Sequence, residues 1–135
     1  MEFLKQYKIL LKKSKSDLKA GENLLEDFEN GDKDLDICTI MFHFQQSAEK
    51  LLKALLVCNK IHFTKTHDIE ELINVLNENN IQISNGIEKL TNLTEFAVDG
   101  RYAVLHDDIN DAEKYIDILK QLTTYVEKVI KDEED

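Results

Sequence analysis

Hydrophobic side chains recur along this chain at steps of three and four, the repeat of helices that hold one face against a core. Between residues 3 and 29 the stripe runs through Phe3, Tyr7, Leu10, Leu11, Leu18, Leu25 and Phe28. Asn30-Gly31 then supplies a usual helix stop. From Leu35 to Ile61 the stripe is Ile37, Met41, Phe44, Ala48, Leu51 and Leu55, flanked by Ile40, Phe42, Leu52 and Leu56. A helix apolar around so much of its circumference is expected to be the most buried, packed by more than one neighbour. A short helix follows from about Asp68 to Asn77, with Ile69, Leu72, Ile73 and Leu76 inward and acids Asp68, Glu70 and Glu71 in its first turn. Asn85-x-x-Glu88 resembles a capping box and opens a fourth helix through Leu90, Leu93, Phe96 and Ala97 towards Gly100. Asn110-x-x-Glu113 opens a last one along Ala112, Ile116, Leu119, Leu122, Val126 and Val129. Long helices with short connections pack against their sequence neighbours. The expected architecture is therefore all-α: an up-and-down antiparallel four-helix bundle with one additional short helix, a single domain over residues 1–135.

Composition supports this reading. The 135 residues include no Pro and only 4 Gly, too little turn chemistry for many short strands, so all-β folds are excluded. The 17 basic and 27 acidic side chains give a net charge of -10, unevenly spread. Residues 37–67 carry one acid and four lysines, whereas residues 68–135 carry 17 acids against 6 bases. A phosphate chain responds to charge within a Debye length of about 8 Å, so the overall sign does not exclude nucleic acid. Lys50, Lys53, Lys60 and Lys65 equally suit the solvated face of the second helix. Cys38 and Cys58 stand 20 residues apart on one predicted helix, about 30 Å at 1.5 Å per residue, too far to pair with each other. The N-terminus, charged from Glu2, lacks the apolar run of a signal peptide or membrane span, which points to a cytoplasmic protein. No His-x3-His, Cys-x2-Cys or Glu-x2-His spacing occurs, so neither a metal site nor a cofactor is expected.

Arg101 is the chain's single arginine, and His106 follows it by five residues. Where every other basic residue is lysine, one retained Arg suggests a position that needs a planar, permanently charged fork for phosphate or carboxylate. On an ideal helix five residues turn about 500°, which separates the two side chains by about 140°, so their cooperation requires a helix end or bend. Gly100 before and Asp107-Asp108-Ile109-Asn110 after suggest such an end, although a pairing of Arg101 with Asp99 or Asp107 would serve structure alone. Thr66-His67-Asp68 marks the entry to the short helix, where Thr66 and Asp68 read as ordinary caps and His67 as either a capping or a ligand-facing residue. Gln45, Gln46, Ser47, Glu49 and Lys50 form a polar patch within the most apolar helix. That patch suits a dimer interface, a small-molecule pocket or a buried hydrogen-bond network.

Three segments resemble the HEPN (higher eukaryotes and prokaryotes nucleotide-binding) domain family. They are Phe44-Gln-Gln-Ser-Ala-Glu-Lys-Leu-Leu-Lys-Ala-Leu-Leu56, Thr66-His-Asp-Ile-Glu-Glu-Leu72 and Phe96-Ala-Val-Asp-Gly-Arg-Tyr102, followed by an amphipathic last helix. The resemblance covers nearly the whole chain in matching order. It implies a helical bundle, often a homodimer, encoded beside a minimal nucleotidyltransferase that acts as its antitoxin. Many members are toxins that cleave RNA without a metal through an Arg-x4–6-His motif, which Arg101 and His106 satisfy in spacing. There the His would take or give the proton of a ribose 2′-hydroxyl while the Arg stabilises charge on the phosphate. Arg101 and His106 are thus the candidate catalytic pair, and His67, Lys50, Lys53 and Tyr102 the candidate nucleotide- or RNA-binding residues. The alternative is a non-catalytic subunit that binds nucleotide or substrate for a nucleotidyltransferase. The position two residues after His106, a tyrosine that is adenylylated in some paired systems, is Asp108 here.

Overall fold

The computed structural model describes residues 5–83, 86–97 and 109–134. Arg101, Tyr102 and His106 lie outside these residues, as do Asn85, Asp99, Gly100, Asp107 and Asp108. Helices α1 (Gln6–Glu29), α2 (Ile37–Cys58) and α3 (Ile69–Glu78), a 3₁₀ helix (Ile87–Phe96) and α4 (Ile109–Glu134) follow in chain order, and no strand occurs among the described residues. The protein is all-helical, as the periodicity predicts.

Helix α2 is the axle. Ile40, Met41, Phe44, Ala48, Leu51, Leu52, Ala54, Leu55 and Leu56 are wholly inaccessible to solvent, and α2 packs on each of the other four elements. Its all-round apolar pattern requires this, because an exposed side would leave leucines in water at about 1.5–3 kcal/mol each. Asp36 caps it, with Oδ1 accepting from the Thr39 amide at 2.7 Å. The helix ends three residues before the expected Ile61, because Lys60 adopts a left-handed conformation (φ 58°) and the Ile61 amide turns back onto the Leu56 carbonyl at 2.9 Å. A glycine usually marks such a stop, and none stands here. Helix α1 does stop at its glycine: Gly31 has φ 99° and the Asp32 amide reaches the Asp27 carbonyl.

Three ion pairs fix the direction and register of α1 against α4. Lys8 meets Glu134 at 2.7 Å, Lys15 meets Glu127 at 2.6 Å, and Glu22 meets Lys120 at 3.2 Å. Each step advances seven residues on α1 and retreats seven on α4, so the helices run antiparallel with one pair every two turns. Exposed pairs of this kind contribute about 0–1 kcal/mol each. Their effect is on register.

The fourth element departs from expectation. It is a ten-residue 3₁₀ helix, although such runs rarely exceed three or four residues. Its buried residues, Ile87, Leu90, Leu93 and Phe96, stand at strict intervals of three. At 3.0 residues per turn they form one straight apolar ridge, whereas an α-helix would rotate Phe96 away from Ile87. Gly86 (φ 95°) precedes it, and Asn85 of the expected capping box lies outside the described residues. Helix α4 begins at Ile109, which places Asn110 inside the first turn and not at the cap.

Close approach between α1 and α2 depends on Gly21. A Cβ there would lie 2.5 Å from Cε1 and 2.8 Å from Cδ1 of Phe44, whose side chain is fully buried. Gly21→Ala is expected to destabilise the fold by about 1–3 kcal/mol in urea denaturation despite alanine's better helix propensity, and adding Phe44→Leu should recover most of the loss. Unchanged stability in the single variant would refute this close packing.

Candidate functional site

The chemistry gathers where α2 meets the entry to α3. Gln45, Glu49 and Lys53 follow one another at intervals of four along α2, on the side of the helix that faces this entry. Glu49 is only 5% exposed. Its Oε1 accepts from Gln45 Nε2 at 3.0 Å and pairs with His67 Nδ1 at 2.9 Å, and its Oε2 accepts from Lys53 Nζ at 2.9 Å. Gln45 is itself committed on both sides: Nε2 also reaches the His67 carbonyl at 3.3 Å, and Oε1 accepts from Gln46 Nε2 at 2.7 Å. Burial pushes the Glu49 carboxyl up. The bonds from Lys53, Gln45 and His67, with the Lys53 charge, outweigh it and hold the group below the usual carboxylate range.

Glu49 is therefore an anion at neutral pH, and an anionic carboxylate only accepts. His67 Nδ1 must then carry the proton that it shares with Oε1, which directs Nε2 away from Glu49. The imidazole is 60% exposed, so a buried anion anchors an accessible ring.

Local capping fixes the segment that carries His67. Asp68 Oδ1 accepts from the Glu70 amide at 3.0 Å, and Thr66 Oγ1 accepts from the Asp68 amide at 3.0 Å. The Glu71 carboxylate accepts from the hydroxyls of Thr64 and Thr66 at 3.1 and 3.0 Å. Thr94, near the end of the 3₁₀ helix, accepts the Ile69 amide at 3.2 Å. That bond satisfies one of the free amides of α3's first turn and joins the entry of α3 to the last turn of the 3₁₀ helix.

A second carboxylate repeats the pattern on the other edge of α2. Asp17 of α1 binds His43 Nδ1 at 3.2 Å and also the Lys50 ammonium. Each carboxylate thus holds one lysine and one imidazole through Nδ1. The four residues Gln45, Gln46, Ser47 and Glu49 belong to hydrogen-bond networks, Ser47 through Ser14 Oγ, which donates to its carbonyl at 2.8 Å. Of the residues expected at the site, His67 and Lys53 meet on Glu49, whereas Lys50 faces α1 through Asp17. Arg101, His106 and Tyr102 lie outside the described residues. Asp17 and His43 were not anticipated, although His43, Gln46, Lys50 and Lys53 recur at steps of three and four, the mark of a single helix stripe. Among the described residues no three His, Cys, Asp or Glu side chains are grouped to hold a metal ion, and no helix is long and apolar enough to cross a membrane. Cys38 and Cys58 are free thiols.

Comparison with known proteins follows the same outline. The HEPN domain family model matches residues 7–129. The crystal structure of an archaeal HEPN homologue superposes with a TM-score of 0.65 over 94% of this chain and 99% of that one, at 19% sequence identity, a likeness of fold. No curated protein matches the sequence significantly.

Because the Glu49 carboxyl is held below its ordinary value near 4.5, its contribution to stability is complete above that pH and is lost as pH falls through the lower folded-state value. Glu49→Gln is expected to lower stability by about 1–3 kcal/mol at neutral pH, with a difference from wild type that shrinks below about pH 4. Denaturant titrations of both proteins across this range check it; a pH-independent difference would contradict the assignment.

Proposed function

The chain belongs to the HEPN domain family, and from that premise we propose that it is a nucleotide- or RNA-interacting protein that cleaves RNA through Arg101 and His106. One observation supports this reading above the others. The bond from the Ile69 amide to Thr94 joins the entry of α3, where His67 of the second motif segment meets Glu49 of the first, to the last turn of the 3₁₀ helix, which ends at Phe96, the first residue of the third. Arg101 belongs to that third segment, five residues after Phe96 in the sequence. In the proposed reaction the ribose 2′-oxygen loses its proton and bonds to phosphorus, the P–O5′ bond breaks, and O5′ leaves as a hydroxyl. Arg101 stabilises the charge on the phosphoryl oxygens, and His106 exchanges one of the two protons. A homodimer would line one cleft with two such motifs, and a nucleotidyltransferase would be the antitoxin.

The second reading is a non-catalytic nucleotide- or substrate-binding partner of a nucleotidyltransferase. Pairing of Lys50 with Asp17 and of Lys53 with Glu49 favours it, since these lysines bring little uncompensated charge to a long polyanion. Incubation with single-stranded RNA in EDTA separates the two. Cleavage that falls at least about 10²-fold in Arg101→Ala and His106→Ala supports the ribonuclease. Equal cleavage in all three proteins, or none, contradicts it.

A further inference from the structure

Helix α1 changes charge along its length. Residues 5–19 carry six lysines and one acid, Asp17, whereas residues 20–29 carry four acids and no basic residue. Asp17 is engaged by Lys50 and His43, Lys8 by Glu134 and Lys15 by Glu127. Lys12, Lys13 and Lys19 are exposed and form no ion pair among the described residues. We infer that this half of α1 is a docking face for single-stranded RNA, on which Lys12, Lys13 and Lys19 contact backbone phosphates. The inference rests on the reading of the chain as an RNA-interacting protein, and it is independent of cleavage.

Helix geometry gathers these side chains on one surface. At 100° per residue, Lys12 and Lys19 lie about 20° apart and Lys13 about 100° round the helix from Lys12, with Ile9 and Ser16 between them. The buried Tyr7, Ser14 and Leu18 are on the opposite side. Ile9, Ser16 and the stems of Lys8, Lys12 and Lys13 line a shallow groove of about 610 Å³. Its floor is apolar and its rim cationic, which suits a sugar–phosphate chain: Ile9 faces the sugar, and the ammonium groups and the Ser16 hydroxyl donate to phosphate oxygens.

The charge pattern is not that of an ordinary solvated face. Lys8 and Lys12, Lys12 and Lys15, and Lys15 and Lys19 stand three or four residues apart, where like charges repel and destabilise a helix. A face that serves solubility alone alternates sign, and this chain has 27 acids with which to do so. A polyanion removes that repulsion. Lys50 and Lys53 are neutralised by carboxylates, so the uncompensated charge lies on α1 and not on the basic stretch of α2. The net charge of -10 leaves the attraction in place, because charges beyond a Debye length of about 8 Å are screened.

Other occupants fit less well. Lysine is depleted from the cores of protein interfaces, which rely on apolar anchors, and Ile9 is the only exposed large hydrophobic side chain among the described residues. A helix that lies on a membrane turns its apolar face outward, whereas α1 buries its own against α2 and α4.

Fluorescence anisotropy of a labelled, 2′-O-methylated single-stranded RNA, which cannot undergo internal attack, measures the affinity as a function of salt. Each phosphate contact contributes about 0.7 to the slope of log K against log salt. The combined variant Lys12→Gln, Lys13→Gln and Lys19→Gln should therefore lower that slope by about 2 and weaken binding about 10²-fold at 0.1 M salt, equally for different sequences. A control with Lys33→Gln, Lys65→Gln and Lys114→Gln removes the same charge from exposed positions elsewhere and should keep the wild-type slope. Because the replaced charges repel their neighbours, the α1 variant should unfold at no lower urea concentration than wild type. Wild-type affinity and slope in the α1 variant, or an equal loss in the control, overturns the inference while RNA binding by the protein stands. Failure of the wild-type protein to bind RNA, with or without binding to phosphatidylserine vesicles in its place, overturns both.

Discussion

One buried carboxylate organises the end of this protein where α2 meets the entry to α3. Taking an ion the size of Glu49 out of water costs several kcal/mol unless hydrogen bonds and opposite charge compensate it. Here three side chains do so: Lys53 from two turns of α2 above a second donor, Gln45, and His67 from the following segment. The requirement explains why polar residues interrupt the most apolar helix. Gln45 and Lys53 are placed four residues on either side of Glu49 so that one helix surface supplies two donors, and only the third has to come from elsewhere.

That third donor links folding to chemistry. His67 must stay beside Glu49, so the loop before α3 is fixed by Thr66, Asp68 and Glu71, and α3 is fixed in turn by Thr94 of the 3₁₀ helix. The 3₁₀ helix keeps its unusual length because its apolar residues stand three apart and form a straight ridge against the core. Each constraint passes to the next, from a buried charge on α2 to the helix end from which the Arg101 segment departs. Away from this end, α1 is held against α4 by their antiparallel ladder and against α2 by the Gly21–Phe44 contact.

Most of the fold was legible in the sequence, because helix amphipathicity is a local pattern that burial has to respect. The elements and their buried faces follow from it, and so does α2's central place. Two misreadings have physical causes. The spacing of Ile87, Leu90, Leu93 and Phe96 suits both 3.0 and 3.6 residues per turn over a short window, and an α-helix was the commoner choice. The early stop of α2 depends on a left-handed lysine, Lys60, which no local signal marks. At the site, residue types pointed to His67 and Lys53, but not to their meeting on Glu49. Asp17 with His43 was invisible for the same reason: pairing across 26 residues depends on how α1 lies on α2, a tertiary fact that spacing within one helix does not contain.

The account's central claim is that the Glu49 carboxylate holds the Nδ1 proton of His67 and directs Nε2 away from itself. Long-range proton–nitrogen NMR of the histidine-labelled protein reads this directly. On the neutral ring the account predicts a protonated Nδ1 and a bare Nε2 for His67, with the preference weakened in Glu49→Gln. A protonated Nε2 on the neutral ring of the wild-type protein would contradict it.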